Sequence, residues 1–279
     1  IYGGMGNDSL TLGAITATTS VLGEDGADTF SIVSALTSSV LGGSGNDSIV
    51  LGGTAFKSFI DAGDDADFIT VGGSFTSATL SGGSGNDTIS LNSVGGKATI
   101  NAGAGDDSLV IAAGISGSTI DGAGGNDLIS IAGGITSDSL MGGAGNDSFN
   151  FTGSQLSATT VNLNTGADSI LGSEFGDSFT LTATTPGTTT GITISNSTLN
   201  SGAGADYINV AQAISAGLFS TAAGTDSIYF SGSVVNTTVS GAADTDTISL
   251  SGAADDLVLA TFTSAQAFAG SGADTIRIT

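Results

Sequence analysis

An aspartate closes a glycine-rich turn at a nearly constant interval along this chain. The positions are Asp8, Asp28, Asp47, Asp67, Asp87, Asp107, Asp127 and Asp147, with steps of 20, 19, 20, 20, 20, 20 and 20 residues. A fixed period of this length leaves few folds open, because each repeat has to be one structural unit that buries its apolar face against its neighbours. The register continues through Asp168, Asp206, Asp226, Asp246 and Asp274, but with steps of 21, 38, 20, 20 and 28 residues.

Columns counted from the aspartate describe the unit. Two residues after it stand Leu10, Phe30, Ile49, Ile69, Ile89 and Leu109, and four after it Leu12, Ile32, Leu51, Val71, Leu91 and Ile111. Mostly Ser and Thr lie between and before them, and such alternation reads as a short strand with one buried face. A second strand centres seven residues before the aspartate, at Val21, Val40, Ile60, Leu80, Ile100 and Ile120. A looser apolar column, 11 or 12 before it, includes Leu36, Phe56, Phe75, Ile115 and Ile135. No 3.6-residue pattern survives, and 46 glycines would penalise helix heavily. The expectation is an all-β, right-handed parallel β-solenoid, or β-roll, of two parallel sheets with ~20 residues per coil and about 13–14 coils. It is expected to run as one continuous domain over residues 1–279, with irregular register near 168–206 and 252–274. The chain opens inside one repeat and closes one strand into another, so it reads as an excerpt of a longer polypeptide.

Composition sharpens the chemistry. The chain carries 26 acidic residues against Lys57, Lys97 and Arg277, a net charge of −23, yet 39% of it is hydrophobic and its mean hydropathy is +0.33. The charge argues for disorder and the hydropathy against it. A fold that buries the apolar columns while a cation neutralises the acids reconciles the two. All the acids except Glu24 and Glu174 are Asp, and such oxygen donors suit Ca²⁺. A chain this acidic repels phosphate, so nucleic acid is not a partner. Without Cys there is neither a disulfide framework nor a thiolate site. No run of 18 apolar residues appears, so membrane insertion is not expected. The absence of His and Cys leaves no triad or thiol nucleophile. Acid pairs such as Asp64–Asp65 and Asp106–Asp107 recur with the repeat, which assigns them to metal or solvent before glycoside chemistry. The chain is therefore not expected to be an enzyme.

The best turns read Gly3-Gly4-Met5-Gly6-Asn7-Asp8, Gly42-Gly43-Ser44-Gly45-Asn46-Asp47, Gly82-Gly83-Ser84-Gly85-Asn86-Asp87 and Gly142-Gly143-Ala144-Gly145-Asn146-Asp147. They resemble the RTX, or haemolysin-type, calcium-binding repeat G-G-x-G-x-D-x-U-x over nearly the whole chain. The logic also stands without the resemblance: glycine admits positive φ and leaves carbonyls uncovered, and the aspartate adds a carboxylate. The expected metal residues are the thirteen aspartates named above and Gly4, Gly6, Gly43, Gly45, Gly83, Gly85, Gly143 and Gly145, holding roughly 8–12 Ca²⁺ ions. The competing reading, in which Asp and Asn only cap turns, leaves the carboxylate column unneutralised. Members of the family often carry calcium on both edges of each coil. Here no Asp recurs on the other edge, so calcium along one edge is expected. Asp177 and Asp256, nine and ten residues after Asp168 and Asp246, are either far-edge sites or loop insertions, with insertions favoured. The turns ending at Asp206, Asp226 and Asp246 have lost glycines, which predicts weaker sites there.

The resemblance implies a structural, extracellular protein similar to bacterial surface-layer or surface-filament proteins, folding when calcium binds after export and associating with itself. A carbohydrate partner stays open. The alternative is an RTX module of a type I-secreted enzyme, adhesin or toxin.

Overall fold

The computed structural model describes residues 1–16, 18–151, 156–157, 159–163, 168–173, 178–182, 194–195, 197–210, 213–221, 223–241, 245–251, 256–260, 264–268 and 275–278. The chain divides into two compact units, Ile1–Gly133 and Gly134–Thr279. Both are all-β and built from parallel strands stacked at about 20 residues per coil, the solenoid that the period requires.

In the first unit, one sheet takes a strand from each coil: Tyr2–Met5, Ser20–Asp25, Ser39–Ser44, Phe59–Asp64, Thr79–Ser84, Thr99–Ala104 and Thr119–Gly124. Each of these strands runs into the glycine-rich turn. The second sheet takes the strands that leave the turn, such as Thr29–Leu36, Ser48–Leu51, Phe68–Thr76, Thr88–Gly95, Ser108–Ile111 and Leu128–Ile131. Register follows side-chain type. Val40, Ile60, Leu80, Ile100 and Ile120 stand opposite one another along one sheet. Phe30, Ile49, Ile69, Ile89, Leu109 and Ile129 do so along the other. All are at most 1% exposed, and each such aliphatic or aromatic side chain contributes roughly 1.5–3 kcal/mol on burial. A one-residue slip would turn every one of them to solvent, so the aliphatic ladders and the pleat together fix the stacking.

The looser apolar column is read one residue off at its start. Ala35 and Ala55, not Leu36 and Phe56, point inward, in line with Phe75, Val94 and Ile115. Phe56 is 38% exposed. Strand pleating decides this: inward and outward positions alternate, and the larger neighbour falls on the outer face.

The edge opposite the aspartates turns by a regular device. Thr18, Thr37, Lys57, Ser77, Lys97 and Gly117 all adopt left-handed backbone, with φ between 49° and 64°. After all of these but Thr18 the next residue is small and buried: Ser38, Ser58, Ala78, Ala98 or Ser118. Residue type at the left-handed position varies among Thr, Lys, Ser and Gly, which hid the turn from a column count.

The second unit begins with the same arrangement. Ser139–Ala144 and Thr159–Asn162 lie in one sheet and lead through Asp147 and Asp168 to Ser148–Asn150 and Ser169–Ser173 in the other. Then the roles exchange. Ser178–Thr182 pairs with Thr159–Asn162 on one side and with Tyr207–Val210, the strand that follows Asp206, on the other. Thr198–Gly202, which precedes Asp206, pairs with Ser169–Ser173 and Leu218–Ser220. Only four residues separate Ser173 from Ser178, and Ser178–Thr182 lies in the sheet opposite that of Ser169–Ser173. From this half-coil on, the turns at Asp206, Asp226 and Asp246 connect the sheets in the opposite direction to those at Asp147 and Asp168. The aspartate turns of this unit therefore lie on both edges, where the sequence column placed them along one.

Candidate metal centre

Each aspartate turn is positioned by the strands on either side of it and tied to the next coil through its own backbone. The amide N–H of Asp28 donates to Oδ1 of Asp47 at 2.7 Å, that of Asp47 to Asp67 at 2.7 Å, Asp67 to Asp87 at 2.8 Å and Asp87 to Asp107 at 2.7 Å. Asp8 opens the series by donating to Asp28, and Asp107 continues it to Asp127. In the second unit Asp147 donates to Asp168 at 2.9 Å, and Asp206 to Asp226 and Asp226 to Asp246 at 3.0 and 3.1 Å. From Asp28 to Asp246 these side chains are only 1% to 3% exposed. The column is thus an internal rail of carboxylates, in which one oxygen of Asp28 through Asp127, and of Asp168, Asp226 and Asp246, is used by the preceding coil.

The second oxygen has no such use. Oδ2 of Asp8, Asp28, Asp47, Asp67, Asp87 and Asp107 is buried with no hydrogen-bond donor. A buried carboxylate oxygen left this way costs several kcal/mol if ionised. Accordingly, burial pushes Asp47 and Asp87 up from 3.8 to about 6, with the Asp28 and Asp67 amides opposing. Asp67 and Asp107 rise to about 7, first by burial and further by the charges of neighbouring aspartates, Asp65 and Asp106 among them. In those two turns Ala62 and Ala102 replace the leading glycine and are themselves buried. Burial also raises Asp127, Asp121 and, to about 6, Asp168.

The glycines complete the cradle. Gly4, Gly6, Gly43, Gly45, Gly83, Gly85, Gly143 and Gly145 all have positive φ, from 96° to 133°. A Cβ at Gly63 would overlap the carbonyl oxygen of Gly43 in the adjacent coil, and one at Gly42 would overlap Oδ2 of Asp47. Bare glycine therefore lets carbonyl oxygens and the carboxylate crowd together. Among the described residues no three acidic side chains converge, so a cation here would draw most of its shell from turn carbonyls. Hard oxygen donors in a glycine-rich loop, with an orphaned carboxylate oxygen in each turn from Asp8 to Asp107, fit Ca²⁺. The ion would supply the charge that these buried carboxylates lack.

Outside the rail, side chains on the turn surface hydrogen-bond from coil to coil. Ser44 donates to Asp25 at 3.0 Å and Ser84 to Asp64 at 2.8 Å. The Asp106 amide donates to Asn86 at 2.9 Å, and the Asn126 amide to Asp106 at 2.7 Å. Acid-rich turns thus alternate with Asn-containing ones, a two-coil pattern that a single-period alignment averages away.

The sequence expectations divide accordingly. Asp28 to Asp127 fall in one column of the first unit, with Asp8, less buried, at its start. In the second unit Asp147 and Asp168 share one edge, and Asp206, Asp226 and Asp246 share the other. Asp177 and Asp274 lie outside the described residues. Asp256 begins the strand Asp256–Ala260.

Stacked parallel coils with a buried carboxylate at every glycine-rich turn define a β-solenoid of the ion-laddered kind. The family model described as RTX calcium-binding nonapeptide repeat (4 copies) matches residues 76–93 and 132–150, which contain the Asp87 and Asp147 turns. Those two segments are thus RTX-type calcium-binding repeats, and such repeats bind multiple Ca²⁺ ions. Neither the curated proteins nor the solved structures gave a match.

Proposed function

We propose that this chain is a structural segment of an extracellular surface protein, of surface-layer or filament type, whose β-roll folds and stiffens when Ca²⁺ fills the aspartate rail. The observation that carries the reading is the rail itself: buried carboxylates joined coil to coil, with an unused oxygen at each step from Asp8 to Asp107. At low Ca²⁺ the net charge of −23 opposes the compact state. An ion that binds only the folded chain shifts the balance by mass action. The role is non-catalytic: nothing but Lys57, Lys97 and Arg277 supplies positive side-chain charge, and neither His nor Cys is present. Repetition of one coil suits a load-bearing or lattice-forming element, since stability adds along the stack.

The test is a Ca²⁺ titration followed by far-UV circular dichroism, with particle imaging of the full-length protein. Strand signal should appear with Ca²⁺ and vanish on chelation, and regular assemblies should form only in the loaded state. Strand signal that survives exhaustive chelation would sink calcium-coupled folding. Loaded, ordered protein that never assembles would favour the secreted-module alternative.

A further inference from the structure

We propose that the second unit carries two separate cation ladders on opposite edges, the first closing at Asp168 and the second formed by Asp206, Asp226 and Asp246. The proposal rests on the calcium reading above and goes beyond it in saying which turns share ions.

The first ladder stops for a visible reason. The Asp168 amide donates at 3.3 Å to Oγ of Ser197, so the following coil presents a hydroxyl where its predecessors present a carboxylate. Register carries the same column on to Gly217 and Thr237, since Thr198 stands opposite Leu218 and Leu218 opposite Thr238. None of the three supplies an anionic oxygen. Across the stack a new rail starts, with the Asp206 amide on Asp226 and the Asp226 amide on Asp246. Its turns run from Thr198–Gly202 to Tyr207–Val210 and from Leu218–Ser220 to Ser227–Phe230, the reverse of the turn at Asp168.

Distance makes the separation decisive. Stacked coils lie about 4.8 Å apart, so adjacent carboxylates on one edge reach a common ion. A strand of four residues at roughly 3.3 Å per residue places the two edges more than about 10 Å apart. Ca²⁺–oxygen bonds of about 2.3–2.6 Å cannot bridge that gap. Asp168 therefore shares ions with Asp147 and not with Asp206, although these two aspartates are consecutive in the column count. The two ladders load independently, and the shorter one has fewer glycines: positive φ is found there at Gly204 and Gly224 only, among the described turn residues.

The tyrosines offer a reporter. The chain has no Trp and three Tyr: Tyr2 in the first turn region, and Tyr207 and Tyr229 one and three residues after Asp206 and Asp226. With Tyr2→Phe in the full chain, tyrosine-sensitised Tb³⁺ emission reports on the second ladder alone, because sensitisation acts over short range. In that background Tyr207→Phe, which removes the tyrosine beside Asp206 and leaves Tyr229 in place, should lower the emission without touching a carboxylate. Asp226→Asn should remove most of it. Asp168→Asn should lower total bound Ca²⁺, measured by equilibrium dialysis, while the sensitised emission and its Tb³⁺ midpoint stay as they were. A single ladder spanning Asp168 and Asp206 predicts instead that Asp168→Asn weakens the emission and shifts its midpoint, and that result overturns the proposal. Absence of both Tb³⁺ emission and Ca²⁺ uptake in the unsubstituted protein removes the calcium reading itself, a different outcome from either.

Discussion

The two units use the same turn to different effect. In Ile1–Gly133 seven aspartate turns follow in one direction, and amide-to-carboxylate bonds run without a break from Asp8 to Asp127. In Gly134–Thr279 the series is cut after Asp168 and resumes across the stack at Asp206. Both keep an aliphatic core of equal dryness, from Ile60 and Leu80 in one to Ile208 and Val239 in the other, each 0% exposed. The core therefore tolerates an exchange of strand roles that the carboxylate rail does not. A half-coil preserves inward and outward faces, because period two survives any exchange of equivalent strands. It moves the next turn to the opposite edge, where no carboxylate precedes it in the same column.

The largest expected contrast comes from removing calcium. On chelation, hydrogen exchange read by mass spectrometry should show amide protection falling by orders of magnitude across residues 29–131. The fall should be smaller over 198–250, where fewer ions stabilise the loaded state. Equal losses in both regions would break the comparison.

Next in size is the core. Phe30→Ala and Phe219→Ala each remove a ring that is at most 1% exposed, and each should cost about 3–5 kcal/mol by chemical denaturation in Ca²⁺. Similar costs at the two sites would confine the difference between the units to the rail.

A pH series sharpens the role of the carboxylates. Asp47, Asp87 and Asp168 titrate at about 6 and Asp67 and Asp107 at about 7 when folded, against 3.8 unfolded. Between these values the folded, calcium-free chain holds more protons than the unfolded one. Its stability should thus be greatest near pH 4 and decline as pH rises toward 7. Calcium affinity should show the reverse trend, falling as pH drops below about 7, because protons compete for the same oxygens. Thermal melts at pH 5 and 7.5, with and without Ca²⁺, test both signs. Asp67→Asn should likewise stabilise the chelated protein and weaken the loaded one.

The smallest effect separates the two kinds of turn. Ala123, in the aspartate turn before Asp127, has φ 76°, and Ala216, in the left-handed turn before Leu218, has φ 55°. Glycine at either should stabilise by about 1 kcal/mol through relief of the left-handed backbone. Only Ala123→Gly should also tighten calcium binding, as read by isothermal titration. A change in affinity from Ala216→Gly would mean that the left-handed edge contributes to a metal site in its own right.

Much of this molecule was legible in the sequence because its repeat is short and chemically strict. The 20-residue spacing set the parallel stacking. Alternation at Phe30 and Ile32 set the buried face, and the glycines flanking Asp47 marked the turn that crowds carbonyls onto a carboxylate. What escaped were features that no column of like residues carries. The left-handed edge is occupied by Thr37, Lys57, Ser77 and Lys97, which share a backbone conformation but no single residue type. Ala35 and Ala55 lie inward beside larger neighbours that point out. Above all, the interval from Asp168 to Asp206 is close to two periods, so in one dimension the register merely pauses. Strand pairing shows that it reverses. Sequence period specifies how far apart equivalent residues are along the chain, whereas the edge on which a turn falls depends on how many times the chain crosses between sheets. Only the hydrogen-bonded partners of Ser178–Thr182 and Thr198–Gly202 record that number.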